Sequence, residues 1–177
     1  MNKYLSLLFC AAAIALPAAA HGAVIEAVPA GFLISLQQEI HARPGEVYAD
    51  IAKVDKWWNK AHTWSGDAAN LSLALAPGGC FCERWDGNAV VHGQVIMLRK
   101  DTVVALQSSL GPLQDLAVNG ILTFTMAPRG DGTILKLTYR VNGGPNSGLD
   151  KWAGPVDEVL TEQLRRLTAY AEKGAAE

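Results

Sequence analysis

The stretch from residue 70 to 141 constrains this chain most. It is a succession of short strand-like runs: "NLSLALA" (70–76), "CFCERW" (80–85), "AVVHGQVIML" (89–98), "TVVALQSSL" (102–110), "GILTFTMA" (120–127) and "TILKLTYRV" (133–141). The connections "PGG", "DGN", "RKD" and "PRGDG" are turn formers of the kind that joins antiparallel neighbours. An antiparallel sheet of this size must bury one face, so something apolar has to lie against it. Only one later element is long enough. After "NGGPNSG" the residues Trp152, Val156, Val159, Leu160, Gln163, Leu164 and Leu167 share one stripe of a helix, with Glu158, Glu162, Arg165 and Arg166 elsewhere. Pro155 fits only the first turn, which predicts a regular helix beginning around Gly154.

Ahead of these runs, "FLISLQQEIHA" (32–42) reads as a strand. "RPGEVYADIAKVDKWWNK" (43–60) reads as a helix with Pro44 near its start and Val47, Ile51 and Val54 at helical spacing. The expected fold is therefore α+β: about seven strands in a curved antiparallel sheet wrapped around a long C-terminal helix, with one or two short helices after the first strand. Incomplete wrapping would leave a cavity between sheet and helix. There is no internal repeat and no linker, so one domain is expected over residues 29–172, with a flexible tail at 173–177.

The N-terminus reads as an export signal. Lys3 precedes an apolar run from Tyr4 to Leu16, Pro17 breaks it, and "AAA" at 18–20 supplies the small residues of a cleavage site; cleavage up to residue 22 is also compatible. At about 13 residues the run is short of the roughly 20 that span a bilayer. Removal of residues 1–20 leaves 177 − 20 = 157 residues, takes one lysine, and moves the formal charge from −2 to −3. That charge, without basic clusters, speaks against a nucleic-acid partner. No later stretch is apolar enough for a transmembrane segment. The expected location is periplasmic or secreted, where the remaining Cys80 and Cys82 meet oxidising conditions.

With these elements on the page, the chain resembles the START/SRPBCC superfamily, in particular its polyketide-cyclase-like and heat-shock-ATPase-activator-like branch. The resemblance rests on "EVYADIAKVDKWWNKAHTWSG" (46–66), "PGGCFCE" (77–83), "HGQV" (92–95), "LGPLQ" (110–114), "GTILKLTYRVNG" (132–143) and "VDEVLTEQLRRL" (156–167), spread over residues 31–170. It implies the helix-grip fold. Its members range from lipid carriers and hormone receptors to cyclases, so it says little about activity.

The segment "GGCFCERW" (78–85) concentrates the chemistry. On a regular strand Cys80 and Cys82 share a face with Cα atoms about 6.6 Å apart, near the limit for a disulfide and with parallel side chains that strain its closure. As metal ligands they are two, and His92 would be a third at most, so no metal is expected. The plain reading is a pair of small, partly buried residues. Phe81, Glu83 and Trp85 fall on the opposite face, toward the helix. Glu83 there is a buried acid with a structural partner (Arg140, His41 or His92), a polar anchor for a ligand, or a general acid or base paired with His92. No nucleophile elbow, phosphate loop or zinc signature accompanies them. His62 is expected at a cavity rim or loop and His41 on the surface.

Five tryptophans are more than one small core requires. Trp57 and Trp58, adjacent on a helix, point about 100° apart, so one at most need lie deep. Trp152, opening the gripped stripe, is expected to matter more to stability than either. The expected ligand wall is Trp57, Trp58, Trp64, Phe81, Glu83, Trp85, Leu113, Tyr139, Trp152 and Val156, with Gln107 and Gln114 as orienting groups and "SSLGPLQ" (108–114) as a lip. The leading expectation is an exported binding protein for a small apolar or amphipathic molecule, without a cofactor. The alternatives are a cyclase, dehydratase or hydrolase using Glu83 and His92, and a protein-interaction or chaperone-type module.

Overall fold

A computed structural model describes residues 23–176; the expected export segment lies outside them. Eight strands form one antiparallel sheet: β1 (Val24–Val28), β2 (Gly31–Ile40), β3 (Leu71–Leu73), β4 (Cys80–Trp85), β5 (Asn88–Arg99), β6 (Val103–Ser108), β7 (Asn119–Arg129) and β8 (Gly132–Asn142). Their spatial order is β1-β2-β8-β7-β6-β5-β4-β3. From β3 to β8 every neighbour is sequential, as the turn-rich run predicts. The first strand of that core, β2, closes the order by pairing with the last, β8, through ten Cα partners from Gly31↔Asn142 to Ile40↔Thr133.

Three helices accompany the sheet: α1 (Pro44–Ile51), α2 (Val54–Trp57) and α3 (Ala153–Lys173). Helix α3 starts one residue before the position that Pro155 predicts and ends on Gly174, which takes the left-handed conformation at φ 74°. Its Leu160, Leu164 and Leu167 are buried against the sheet with Ile34, Leu36, Leu137 and Phe124. This is the helix-grip arrangement: a curved sheet holding one long helix.

The structure departs from several expectations. An eighth strand, β1, precedes residue 29; all five of its residues are exposed, so it carries no burial pattern from which periodicity could have revealed it. The one or two short helices expected after the first strand are two, α1 and α2, and Trp58 already has extended backbone, with φ −65° and ψ 137°. The 100° separation of Trp57 and Trp58 therefore does not apply: both are buried, with ring centroids 5.5 Å apart. Trp152, by contrast, is only half-buried, so on burial Trp57 and Trp58 are expected to matter more to stability than Trp152. Helix α3 also extends through Lys173, the first residue assigned to the tail.

Close approach explains one glycine. At Gly120 on β7, a Cβ would stand 2.1 Å from the Ser108 carbonyl oxygen and 2.8 Å from the Tyr139 ring. Only glycine lets β6, β7 and Tyr139 meet there.

Candidate functional site

Between α3, the segment following α2, His92 of β5 and the segment following β6 lies an apolar cavity of about 370 Å³. Trp58, Trp64 and Trp152 contribute aromatic surface; Val156, Val159 and Leu160 come from α3; Leu110, Pro112 and Leu113 form a lip. The lip begins at Gly111 (φ +52°) and runs as a 3-10 turn over Gly111–Leu116. Ala61, His62, Thr63 and Pro155 complete the mouth, and His92 is set into the wall.

His92 reaches that wall through an irregularity. Phe81 pairs with Gly93 while Cys82 pairs with Val91, leaving His92 as the extra residue of a β-bulge on β5. A bulge re-aims side chains and breaks the strand's strict alternation. Here it turns His92 inward, against the Phe81 ring at 5.0 Å and onto Glu83 at 2.9 Å. Across from it, Phe81, Cys82 and Glu83 are all buried, where alternation alone would have exposed Cys82.

Glu83 has no exposed surface and does not line the cavity. Its Oε1 accepts from the Ser65 N–H (2.5 Å), and its Oε2 accepts from the Trp64 N–H (3.1 Å) and from His92 Nε2 (2.9 Å). The carboxylate thus staples the "HTWSG" segment to the sheet and positions two cavity residues, Trp64 and His92, from behind. Burial pushes its pKa up, but the hydrogen bonds from Ser65, Trp64 and His92 outweigh that effect and hold it below the usual carboxylate range. Burial pushes the His92 pKa down, against the partial opposition of Glu83. The pair at neutral pH is consequently a carboxylate and a neutral imidazole. A carboxylate can only accept, so the imidazole proton sits on Nε2.

Of the expected wall, Trp58, Trp64, Leu113, Trp152 and Val156 line the cavity, with His92 from the expected catalytic pair. The other seven do not: Glu83, described above, and six more. Trp57 is deeper, its indole N–H donating to the Asp50 carbonyl at 2.9 Å. Phe81 packs behind Trp58, with ring centroids 5.4 Å apart. Trp85 sits half-buried at the far end of β4, opposite Asn88. Gln107 is exposed and donates to Asn119 Oδ1, and Gln114 donates to the Val91 carbonyl; neither lines the cavity. Tyr139 is a buried strut whose hydroxyl donates to the Ser108 carbonyl and accepts from the Leu110 N–H, fixing the root of the lip; burial raises its pKa.

Sequence reasoning left Leu110, Pro112, Pro155, Val159 and Leu160 out of the wall. The last two were legible in the helical stripe, and the lip residues in "SSLGPLQ". His62 stands at the rim as expected, with Nε2 3.2 Å from Glu162 Oε2. His41 is exposed, its N–H donating to Glu172 on α3.

The cysteines overturn the expectation from flat strand geometry. Their Cα atoms are 5.3 Å apart and the sulfurs are bonded to each other. The pairing register shifts between Phe81 and Cys82, and the Cα separation there is shorter than the about 6.6 Å that flat alternation would set. Each sulfur is spent on the other, and among the described residues no three His, Cys, Asp or Glu side chains gather to hold a metal. Thiol titration of protein beginning at His21, unfolded without reductant, is expected to find no free thiol. The Cys80→Ser/Cys82→Ser protein is expected to lose roughly 1.5 kcal/mol at most, because so short a loop restricts the unfolded chain little.

No family model matches the sequence, and no curated protein matches it. Solved structures do. A conserved protein of unknown function from Enterococcus faecalis, EF2215, superposes with a TM-score of 0.61 at 12% identity, covering 89% of this chain and 80% of its own. CalU16 from Micromonospora echinospora gives 0.58 at 16% identity, over 86% of this chain and 84% of its own. The Aha1 dimer from Colwellia psychrerythraea gives 0.59 at 19% identity, over 80% and 97%. At these identities the likeness shows a shared fold.

Proposed function

We propose, for a chain built on the helix-grip fold of the START/SRPBCC superfamily, that it is an exported protein binding a small apolar or amphipathic molecule between its sheet and C-terminal helix. The observation that carries this reading is the cavity of about 370 Å³ with three tryptophans in its wall. Pockets of some 300–1,000 Å³, largely apolar with a few placed polar groups, are the usual form of small-molecule sites. At roughly 30 Å³ per water the volume equals about twelve waters, which suits a compact molecule of one to three rings.

Native mass spectrometry of the mature protein after incubation with an extract of lipids and aromatic metabolites tests this. A one-to-one adduct that weakens on Trp152→Ala is expected; no captured molecule across such extracts would overturn the reading. Export rests on the N-terminal pattern, and no helix among the described residues is long and apolar enough to cross a membrane. The intact mass of protein recovered outside the cytoplasm of its host is expected to correspond to a start between His21 and Ala23. Retention of Met1 on that protein would remove the export assignment.

A second reading, proton-transfer catalysis, is favoured by one observation: a carboxylate and an imidazole 2.9 Å apart, the imidazole on the cavity wall. A neutral histidine held by a carboxylate is the usual arrangement of a general base. Glu83 does not reach the cavity and would act as the positioning residue.

A further inference from the structure

The cavity wall is selective about polarity. Several hydrogen-bond donors around the cavity are already engaged within the protein, although the Trp152 indole N–H makes no hydrogen bond to a described residue. The Trp64 and Ser65 N–H groups go to Glu83, the Leu110 N–H to the Tyr139 hydroxyl, the Trp58 indole N–H to the His62 carbonyl, and His92 Nε2–H to Glu83. At the mouth, the Thr63 hydroxyl donates to the Lys60 carbonyl, and Trp64 is half exposed to solvent. One polar atom of His92, a residue of the wall, has a different status. With its proton on Nε2, His92 keeps a lone pair on Nδ1, which makes no hydrogen bond to any described residue and is not among the sealed, partnerless polar atoms. It is an acceptor, on a residue that lines the cavity.

We infer that the ligand is a compact, neutral ring compound whose inner end carries a hydrogen-bond donor, a hydroxyl or N–H, that His92 Nδ1 accepts. This rests on the proposal that the cavity binds a small molecule, and it names the chemistry. Shape alone would admit hydrocarbons, ethers and carboxylates of the same size. A hydrocarbon or ether leaves the imidazole lone pair buried without a partner, which costs affinity. A carboxylate meets an acceptor backed by the Glu83 carboxylate, which adds to the cost of its desolvation. A hydroxyl satisfies Nδ1 and places its rings against Trp58, Trp152 and Leu113. Glu83 sets the specificity indirectly: by holding the proton on Nε2 it makes the cavity face of the ring an acceptor.

Three probes of similar size separate the possibilities at neutral pH: 2-naphthol, 2-methoxynaphthalene and 2-naphthoate, titrated calorimetrically into the mature protein. 2-Naphthol is expected to bind about tenfold or more tighter than its methyl ether, and naphthoate weakest. In the double variant His92→Phe/Glu83→Gln the preference for naphthol over ether is expected to vanish while ether binding persists, which also shows that the variant folds. Equal wild-type affinities for naphthol and ether overturn the donor inference and leave cavity binding intact. Failure of all three probes overturns the cavity reading with it. A preference that survives the double variant removes His92 from the role. Should that variant not fold, imidazole ¹⁵N shifts of the wild-type protein decide. The Nδ1 resonance of His92 must move toward lower frequency with naphthol but not with the ether, and an unmoved resonance refutes the contact.

Discussion

Glu83→Ala is expected to destabilise the protein by about 3–5 kcal/mol, because it removes a buried carboxylate that accepts three hydrogen bonds and leaves their donors unmatched. Three donors lose their acceptor at once: the Trp64 and Ser65 N–H groups and His92 Nε2. Each buried donor left unmatched costs about 1–3 kcal/mol, and the partial burial of the two loop amides keeps their share low. Chemical denaturation monitored by tryptophan fluorescence measures the loss. Glu83→Gln, which preserves one accepting oxygen, is expected to lose less. A Glu83→Ala midpoint within about 1 kcal/mol of wild type would mean that the loop is held by something other than this carboxylate.

The same pair makes stability depend on pH in a defined direction. Glu83 has a folded pKa below its ordinary value, so its contribution is present above the unfolded carboxylate range and disappears as pH falls through the folded pKa. The folded pKa of His92 also lies below the ordinary value of 6.5. Below that value the unfolded chain takes up a proton that the folded imidazole resists, so stability starts to fall as pH drops past the ordinary histidine pKa. Both groups act in one direction: acid weakens the fold, first through His92 and then through Glu83. In His92→Gln the upper part of this pH dependence is expected to be missing.

Trp57→Ala is expected to be comparably costly, about 3–5 kcal/mol, because a large aromatic is removed from a packed site. Trp57 is 1% exposed, its indole N–H donates to the Asp50 carbonyl, and its own carbonyl accepts from Arg166 Nε on α3. It pins the α1–α2 corner against the gripped helix. Trp152→Ala, at a half-buried cavity position, is expected to cost only about 1–2 kcal/mol and to be felt mainly in ligand affinity. Equilibrium unfolding of both variants beside a binding titration separates the two roles. Equal stability losses would mean that Trp152 also carries core packing.

What the sequence by itself determined is the part governed by period and turn chemistry. Alternating runs between Gly- and Pro-containing turns specify an antiparallel meander, and a 3.6-residue apolar stripe specifies the helix it must grip. With Pro155 confined to the first turn, even the start of α3 was readable to within one residue. The cavity lining that came from those regular elements and their connections was legible too: Val156 and Trp152 on or beside α3, Leu113 in the Gly-Pro lip. The tertiary structure decided what depends on breaks in period. One extra residue in β5, invisible to pattern because the bulge arises only when β4 and β5 pair, turns His92 onto Glu83. Beside that register shift, Cys80 and Cys82 stand 5.3 Å apart and Cys82 is buried with residues that alternation had placed on the other face. Likewise, the helix over 43–60 breaks where burying both Trp57 and Trp58 against the core outweighs continued helical hydrogen bonding, a balance that local propensity cannot contain. The partner of Glu83 was one of three candidates by sequence. Pairing register, acting over a contact between residues nine apart in the chain, chose His92.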